Sequence, residues 1–211
     1  SDNSAKALVY LDKANQKAAR LNAAQDAMNY FKGAMEILDT LDETQENQKF
    51  RIHLVCNQFW VFLVLLRVKD FYELLTRFQP LIAKLEDIEL LAKFHSSMTG
   101  CEYWFGFFDK ALERADKAIE YSKLAGHPEY AYNAYVIKSY SCVWISDYQK
   151  LHALKEEITQ LLDENFNLET YVHAFIVHSI FFGDMGRFDK AVEEGLKALH
   201  MAEKYSDDSL I

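Results

Sequence analysis

The stretch GRFDKAVEEGLKAL, from Gly186 to Leu199, is nearly repeated eighty residues earlier as GFFDKALERADKAI, from Gly106 to Ile119. Eight of the fourteen positions are identical. In both copies a glycine and an aromatic residue precede small residues at steps of four and then three, which lie on one face of an α-helix. Small residues on that face let a neighbouring helix approach closely. A near-copy of one helix within a chain predicts a repeat architecture.

Weaker copies of this pattern occur elsewhere in the chain. If the first small or apolar residue of each helix face is taken as an anchor, the anchors are Ala27, Leu74, Ala111, Leu151 and Ala191, with spacings of 47, 37, 40 and 40 residues. A turn signal precedes each anchor, and another apolar-periodic helix precedes the turn. The pattern predicts five units of a helix, a tight turn and a second helix, over residues 1–43, 44–87, 88–126, 127–166 and 167–207.

The predicted helices contain several residues with a defined role at helix ends. Pro80 lies inside a helix, so we expect a kink or a break there. Pro128 fits the first turn of its helix, and Asp70, Asp147 and Asp184 fit capping or turn roles. The helices are predicted over 4–20, 24–41, 45–67, 70–86, 88–104, 108–124, 128–145, 148–164, 168–184 and 188–205. The small residues predicted to be buried at helix contacts are Ala111, Ala118, Ala191 and Ala198.

The composition fits a helical protein with its own core. Half of the 211 residues are apolar, and the chain has only two prolines and seven glycines, which disfavours an all-β fold. The formal net charge of −9 disfavours nucleic acid or an anionic membrane as a partner. No apolar run approaches the ~18 residues of a membrane span. The three scattered cysteines, Cys56, Cys101 and Cys142, predict reduced core thiols and a cytoplasmic location.

The sequence carries no recognisable catalytic, cofactor or metal motif. It has no glycine-rich phosphate loop, no GxSxG, no HExxH and no CxxC. His173 and His178 are five residues apart, not the four that place two imidazoles over one ion on a helix. We therefore expect no enzyme activity, no cofactor and no metal, and we expect the carboxylate-rich stretches to be solvated surface.

The quoted stretch resembles the second helix of a tetratricopeptide repeat, a family whose pattern places Gly, an aromatic residue and Ala at these offsets. The resemblance covers essentially the whole chain, although these units are nearer 40 residues than the family's 34. It implies an all-α fold, a right-handed α-α superhelix of about five TPR-like helix pairs. It also implies that the first helix of each pair lines a concave groove that binds a protein or peptide.

Carrying over the family's groove positions gives a surface that is aromatic and nearly uncharged. The predicted groove residues are Phe59, Leu63, Lys93, Tyr103, Trp104, Asn133, Tyr140, Trp144 and His173, with Ser96, Val136 and Ile180 beside them. Exposed aromatic surface is typical of a binding site. The alternative is that these longer helices turn the same residues into the core. Only Lys93 and Asn133 correspond to the clamp with which some family members hold a peptide carboxylate, so an apolar segment is the expected ligand.

Two functions remain open from the sequence. One is a non-catalytic scaffold for protein-protein interaction. The other is a regulatory segment of a multidomain protein, because residues 4–38 resemble the first repeat after the ATPase module of large bacterial signalling proteins, including adenylate and guanylate cyclases. No polar capping helix follows the last unit, which predicts a fragment of a longer chain and possible self-association through uncapped ends.

Overall fold

The computed structural model describes residues 2–164 and 168–204, which form eleven α-helices and no strand. The four residues Pro128–Ala131 form a short 3-10 helix that leads directly into an α-helix. The helices are α1 (Asp2–Arg20), α2 (Ala24–Asp39), α3 (Gln45–Cys56), α4 (Phe59–Val64), α5 (Val68–Leu85), α6 (Ile88–Trp104), α7 (Phe108–Ala125), α8 (Tyr132–Trp144), α9 (Tyr148–Glu164), α10 (Leu168–Asp184) and α11 (Phe188–Lys204).

The helices form five consecutive pairs that stack in chain order. Within the pairs, α1 packs on α2, α6 on α7 and α10 on α11, while α3 and α4 together act as the first helix beside α5. The second helix of each pair packs against the first helix of the next pair, and the first helices α3, α6, α8 and α10 contact one another in turn. The predicted all-α solenoid of helix pairs is confirmed. The first helices lie side by side and form one continuous wall.

A tight turn of the same type joins the two helices in each of the five pairs. Their turn residues, Asn22, Leu66, Gly106, Ser146 and Gly186, have left-handed φ angles between 56° and 75°. Each turn residue donates its N–H to the carbonyl three residues earlier, as Gly106 does to Tyr103. The residue after the turn residue donates to the carbonyl five residues before its own position, as Phe107 does to Glu102. This is the Schellman pattern, which satisfies the last carbonyls of a helix. The turns are 44, 40, 40 and 40 residues apart, so they set the register of the units.

The register corrects one predicted anchor. Each anchor lies five residues after its turn residue, which places the anchor of the second unit at Phe71 and not at Leu74. Phe71 and Leu75 are fully buried, whereas Leu74 is only partly buried. In the second unit the aromatic residue occupies the anchor position itself, and this substitution shifted the sequence-based register by three residues.

The predicted small-residue face is buried in three of four cases. Ala111, Ala118 and Ala198 are buried, whereas Ala191 is partly exposed, so the prediction is wrong for Ala191. Ala191 belongs to α11, on whose outer side no described helix packs. Its carbonyl oxygen accepts a hydrogen bond from the Ser179 hydroxyl at 2.7 Å, which ties α11 to α10.

The outer face of α11 is apolar. Val192 is 60% exposed there. Its counterpart two repeats earlier, Leu112 on α7, is only 6% exposed, because α8 covers it. Leu196 and Leu199 continue the exposed stripe along α11. Within the described residues, this face has no partner helix.

The predicted helix 45–67 is interrupted at Asn57 and Gln58, between α3 and α4. Gln58 is completely buried, and its side-chain amide exchanges two hydrogen bonds of 3.0 Å with that of Asn15 on α1. Asn15 also donates to the carbonyl of Ala27, and Gln58 donates to that of Leu54. A buried amide must have such partners, and this pair ties the first two units together.

Of the kink or break predicted at Pro80, the break does not occur, since α5 continues through this residue. Pro80 lies on the exposed face of α5, where the carbonyl that proline cannot bond is open to solvent. Pro128 begins the 3-10 turn as expected, and Asp147 caps α9 by accepting from the N–H of Lys150 at 3.1 Å. Asp70 lies in the first turn of α5, whereas Asp184 is the last residue of α10 and begins no helix.

Candidate functional site

The repeat places equivalent side chains of the first helices next to one another. His53, Lys93, Asn133 and His173 each lie thirteen residues before the turn residue of their unit, on α3, α6, α8 and α10. They form a polar row across the wall of first helices. Nζ of Lys93 lies 3.1 Å from Nδ1 of His53, and because an ammonium group only donates, Nδ1 is the acceptor.

An open pocket of about 420 Å³ lies along this row. Its walls come from α1, α3, α4 and α6 and from the chain around the start of α8, so it spans four units. Lys93 crosses the pocket, with Nζ 4.3 Å from the ring centroid of Tyr130. The lining residues are Asn15, Gln16, Ala19, Arg20, His53, Cys56, Asn57, Phe59, Trp60, Lys93, Ser96, Ser97, Glu129, Tyr130 and Asn133.

The polar side of the pocket is organised around Asp12. Its carboxylate accepts a hydrogen bond from Gln16 at 3.0 Å and lies 3.7 Å from Nε2 of His53. Burial raises the pKa of Asp12, but the nearby His53 and the hydrogen bond from Gln16 outweigh burial and hold the pKa below its usual value. Burial also lowers the pKa of Lys93. The result is a charged network that is held in place by contacts between three first helices.

All three tryptophans of the chain are exposed on the first helices. Trp60 is 48% exposed, Trp104 is 54% exposed and Trp144 is 64% exposed. Trp104 and Trp144 occupy the same repeat position, at the last residues of α6 and α8. Tryptophan is highly buried on average in folded proteins. Its exposure at three places on the first helices, two of them equivalent in the repeat, is therefore unusual.

Contacts among the aromatic side chains fix their orientation. Nε1 of Trp144 donates to the hydroxyl of Tyr103 at 3.0 Å, and its ring stacks on Phe108 with centroids 6.0 Å apart. The hydroxyl of Tyr140 lies 3.1 Å from Nδ1 of His173, and its ring lies 6.2 Å from that of Tyr103. Burial, followed by the nearby Tyr103, raises the pKa of Tyr140 to about 12, so its hydroxyl stays protonated. These contacts hold Tyr103, Tyr140 and Trp144 against one another and against neighbouring side chains.

The predicted groove residues divide between surface and core. Lys93 and Asn133 line the pocket, Tyr103, Tyr140 and His173 are partly buried, and Trp104 and Trp144 are exposed. The second unit differs, because Phe59 is buried in the core and Leu63 packs against it. The ring of Phe59 fills the space left by Gly100, where a Cβ atom would overlap it. The core alternative thus holds for Phe59 but not for the tryptophans.

The three-residue register shift of the second unit hid two residues of this surface. His53 is the repeat equivalent of Lys93, and Trp60 is the equivalent of Gly100 and Tyr140. Subtracting forty residues from Lys93 and Gly100 locates both. The sequence signal existed, but it needed the turn at Leu66 as its reference point.

The described residues offer little for metal or thiol chemistry. Among them, no group of three or more His, Cys, Asp or Glu residues is placed to hold a metal ion. Cys56, Cys101 and Cys142 are unpaired and buried, and burial raises the pKa of each thiol, to about 12, 12 and 11 respectively. These cysteines pack in the core as predicted. None of the helices within the described ranges has the length and apolarity to cross a membrane.

The fold is similar to that of known repeat proteins. Two crystal structures of a kinesin light chain of Podosopora anserina, described by its nearly identical TPR-like repeats, match almost the whole chain. A point variant gives a TM-score of 0.66 at 14% identity, over 94% of this chain and 96% of that chain. The other structure gives 0.64 at 14% identity, over 95% and 97%. No protein-family model and no curated protein matches the sequence. The likeness shows that the chain has a TPR-like repeat fold.

Proposed function

We propose that the protein is a non-catalytic interaction scaffold that binds a peptide segment with apolar side chains along its first helices. The observation that carries this proposal is the exposure of Trp60, Trp104 and Trp144 on the first helices. Aromatic side chains bury a large area at a small cost in conformational entropy, and they dominate binding at protein interfaces. A TPR-like fold in the similar kinesin light chain structures supports a role in protein interaction.

The polar row favours contacts with peptide backbone over capture of a terminal carboxylate. Lys93, the one lysine at a clamp position, is already engaged by His53 and by the ring of Tyr130. Asn133 donates from Nδ2 to the carbonyl of Ser96 at 3.2 Å, which orients its amide beside the pocket. Amides of this kind pair with the N–H and C=O groups of an extended segment.

The groove also fits the second function that the sequence leaves open. In a regulatory segment of a bacterial signalling ATPase or nucleotide cyclase, the occupant is a neighbouring domain of the same polypeptide. Only the resemblance of residues 4–38 favours that setting. The primary proposal is therefore a separate peptide ligand.

The test is to select ligands from a library of short displayed peptides and to measure their affinities for matched variants. We expect Trp104→Ala or Trp144→Ala to weaken binding by about 2 kcal/mol, roughly thirtyfold, because each removes an exposed aromatic anchor. Leu124→Ala is the control, since Leu124 is exposed on the second helix α7 and not on the groove side. Loss of affinity in the control alone, or unchanged affinity in both tryptophan variants, would refute the groove as the binding surface.

A further inference from the structure

A second pocket, of about 410 Å³, lies between α9, α10 and α11, away from the groove. Its lining residues are His152, Lys155, His178, Phe181, Phe182, Arg187, Lys190, Glu193 and Glu194. The 40-residue register gives each of these residues a counterpart in the preceding unit. The residues at the equivalent positions of the preceding unit can therefore be compared with those that line the pocket.

Four of these counterparts are small or apolar side chains that the preceding unit buries. Leu112, Ala115, Cys142 and Leu154 correspond to His152, Lys155, Phe182 and Glu194, whereas other counterparts, such as Lys138, Asp147 and Lys150, are charged in that unit too. At these four positions the preceding unit packs without the larger or charged side chains of the pocket. Three of the four replacements introduce a titratable side chain into what is otherwise an interface between units.

The carboxylates of this pocket are already neutralised. Glu194 pairs with Lys155 at 2.6 Å and with Lys197 at 3.0 Å. Glu193 pairs with the same Lys197 at 2.7 Å. Neither carboxylate remains free to balance a further positive charge.

Two cations in the pocket lack such a partner. Arg187 and Lys190 form no ion pair with a carboxylate of the described residues, and both lie by the ring of Phe182, at 5.3 Å and 5.6 Å from its centroid. An aromatic wall carrying two unbalanced cations attracts an anion with an organic body.

A buried imidazole in the same wall supplies a hydrogen-bond acceptor. His178 is 3% exposed, and its Nδ1 lies 2.8 Å from the carbonyl oxygen of Ala174, which requires Nδ1 to be the protonated nitrogen. Nε2 is buried and has no partner among the described residues. Burial lowers the pKa of His178 despite the bond to Ala174, so the ring is neutral near pH 7 and Nε2 accepts. Buried polar atoms ordinarily have a partner.

We infer that this pocket is a binding site for a small organic anion. Arg187 and Lys190 hold the anionic group, Phe182 packs against the carbon skeleton, and a hydroxyl group of the ligand donates to Nε2 of His178. The site is independent of the peptide groove, because the two share no residue. A hydroxy acid such as malate has the required groups, whereas succinate has the same two carboxylates without the hydroxyl.

The test is calorimetric titration of the whole chain with malate, succinate and inorganic phosphate at neutral pH and low salt, where charge interactions are least screened. We expect malate to bind saturably, with a Kd of about 1 mM or tighter. Succinate should bind at least about fivefold more weakly, because it leaves Nε2 of His178 unpaired. Displacement of bound malate by phosphate supports the anion subsite, and failure of phosphate to compete restricts that subsite to carboxylates.

Matched variants locate the binding. Arg187→Gln and Lys190→Gln should each weaken malate binding roughly tenfold. Both side chains are exposed, so the fold is unaffected. Lys150→Gln is the control, since Lys150 is the counterpart of Lys190 on α9 and does not line the pocket. Malate that shows no saturation at about 10 mM, or that binds both Gln variants as tightly as the parent, overturns the site. Equal affinity for malate and succinate overturns the role of His178.

Discussion

The turn at Leu66 stores conformational strain that one substitution should relieve. Leu66 has a φ of 56°, in the left-handed region, and its side chain is 91% exposed. A left-handed conformation costs a non-glycine residue roughly 1–2 kcal/mol. Because the exposed side chain makes almost no packing contact, its removal in the Leu66→Gly variant costs little stability. The greater conformational freedom of glycine in the unfolded chain offsets part of the stability gained by relieving the strain. We therefore expect Leu66→Gly to stabilise the protein by about 1 kcal/mol.

Equivalent turns provide the reciprocal test. Gly106 and Gly186 have φ angles of 75° and 70°, and a Cβ atom added at either would meet no atom within 4 Å. Their replacement by alanine should therefore cost about 1 kcal/mol through the backbone alone. The assay is chemical denaturation followed by circular dichroism, with Leu66→Ala as the control that removes the side chain but keeps the left-handed residue. The reasoning fails if Leu66→Ala stabilises as much as Leu66→Gly, or if the glycine replacements are neutral.

Three further predictions concern the core, and denaturation midpoints check each of them. Asn15→Leu should destabilise the protein by about 1–3 kcal/mol because it strands the buried amide of Gln58, and adding Gln58→Leu should recover part of that loss; a fully additive double variant would contradict the pairing. Ala118→Leu should overpack a fully buried helix contact at a cost of roughly 1–3 kcal/mol, and an unchanged midpoint would mean that the contact is loose. Burial, followed by the nearby Arg114, lowers the pKa of His95 to about 4 from 6.5, so the unfolded chain takes up a proton first as the pH falls. The stability that His95 contributes is complete above pH 6.5 and is lost between pH 6.5 and 4, by about 3 kcal/mol. A His95→Gln variant whose stability falls as steeply as the parent's in this window would refute that assignment.

The sequence predicted the fold wherever a unit carries the small-residue and glycine signals. Helices α6 and α10 have the predicted ends, and Gly106 and Gly186 mark the turns that follow them. Helix α9 also has the predicted ends, although the turn before it has Ser146 and not glycine. The second unit lacks these signals, because its turn residue is Leu66 and its anchor is Phe71. A left-handed leucine cannot be anticipated from propensity. The register of that unit therefore came only from the backbone hydrogen bonds of its turn.

The candidate site was partly predictable for the same reason. The anchors of the third and fourth units, Ala111 and Leu151, were predicted in the correct register, so the offset from them placed Trp104 and Trp144 on the first helices. The buried pair of Asn15 and Gln58 joins two helices 43 residues apart, and no local pattern encodes such a contact. The ion pair of Lys155 with Glu194 could not be predicted for the same reason, since each residue alone is only a charged residue at a helix position that is apolar in the preceding unit.

Tryptophan quenching tests the central claim, that a peptide binds along the first helices, because all three tryptophans are exposed on those helices. A peptide selected for binding is added to saturation, and the quenching of tryptophan emission by acrylamide is measured before and after. The account predicts that the bound peptide covers the indole rings, so that quenching falls markedly and the emission shifts to shorter wavelength. Saturable binding that leaves the quenching of all three tryptophans unchanged would contradict it.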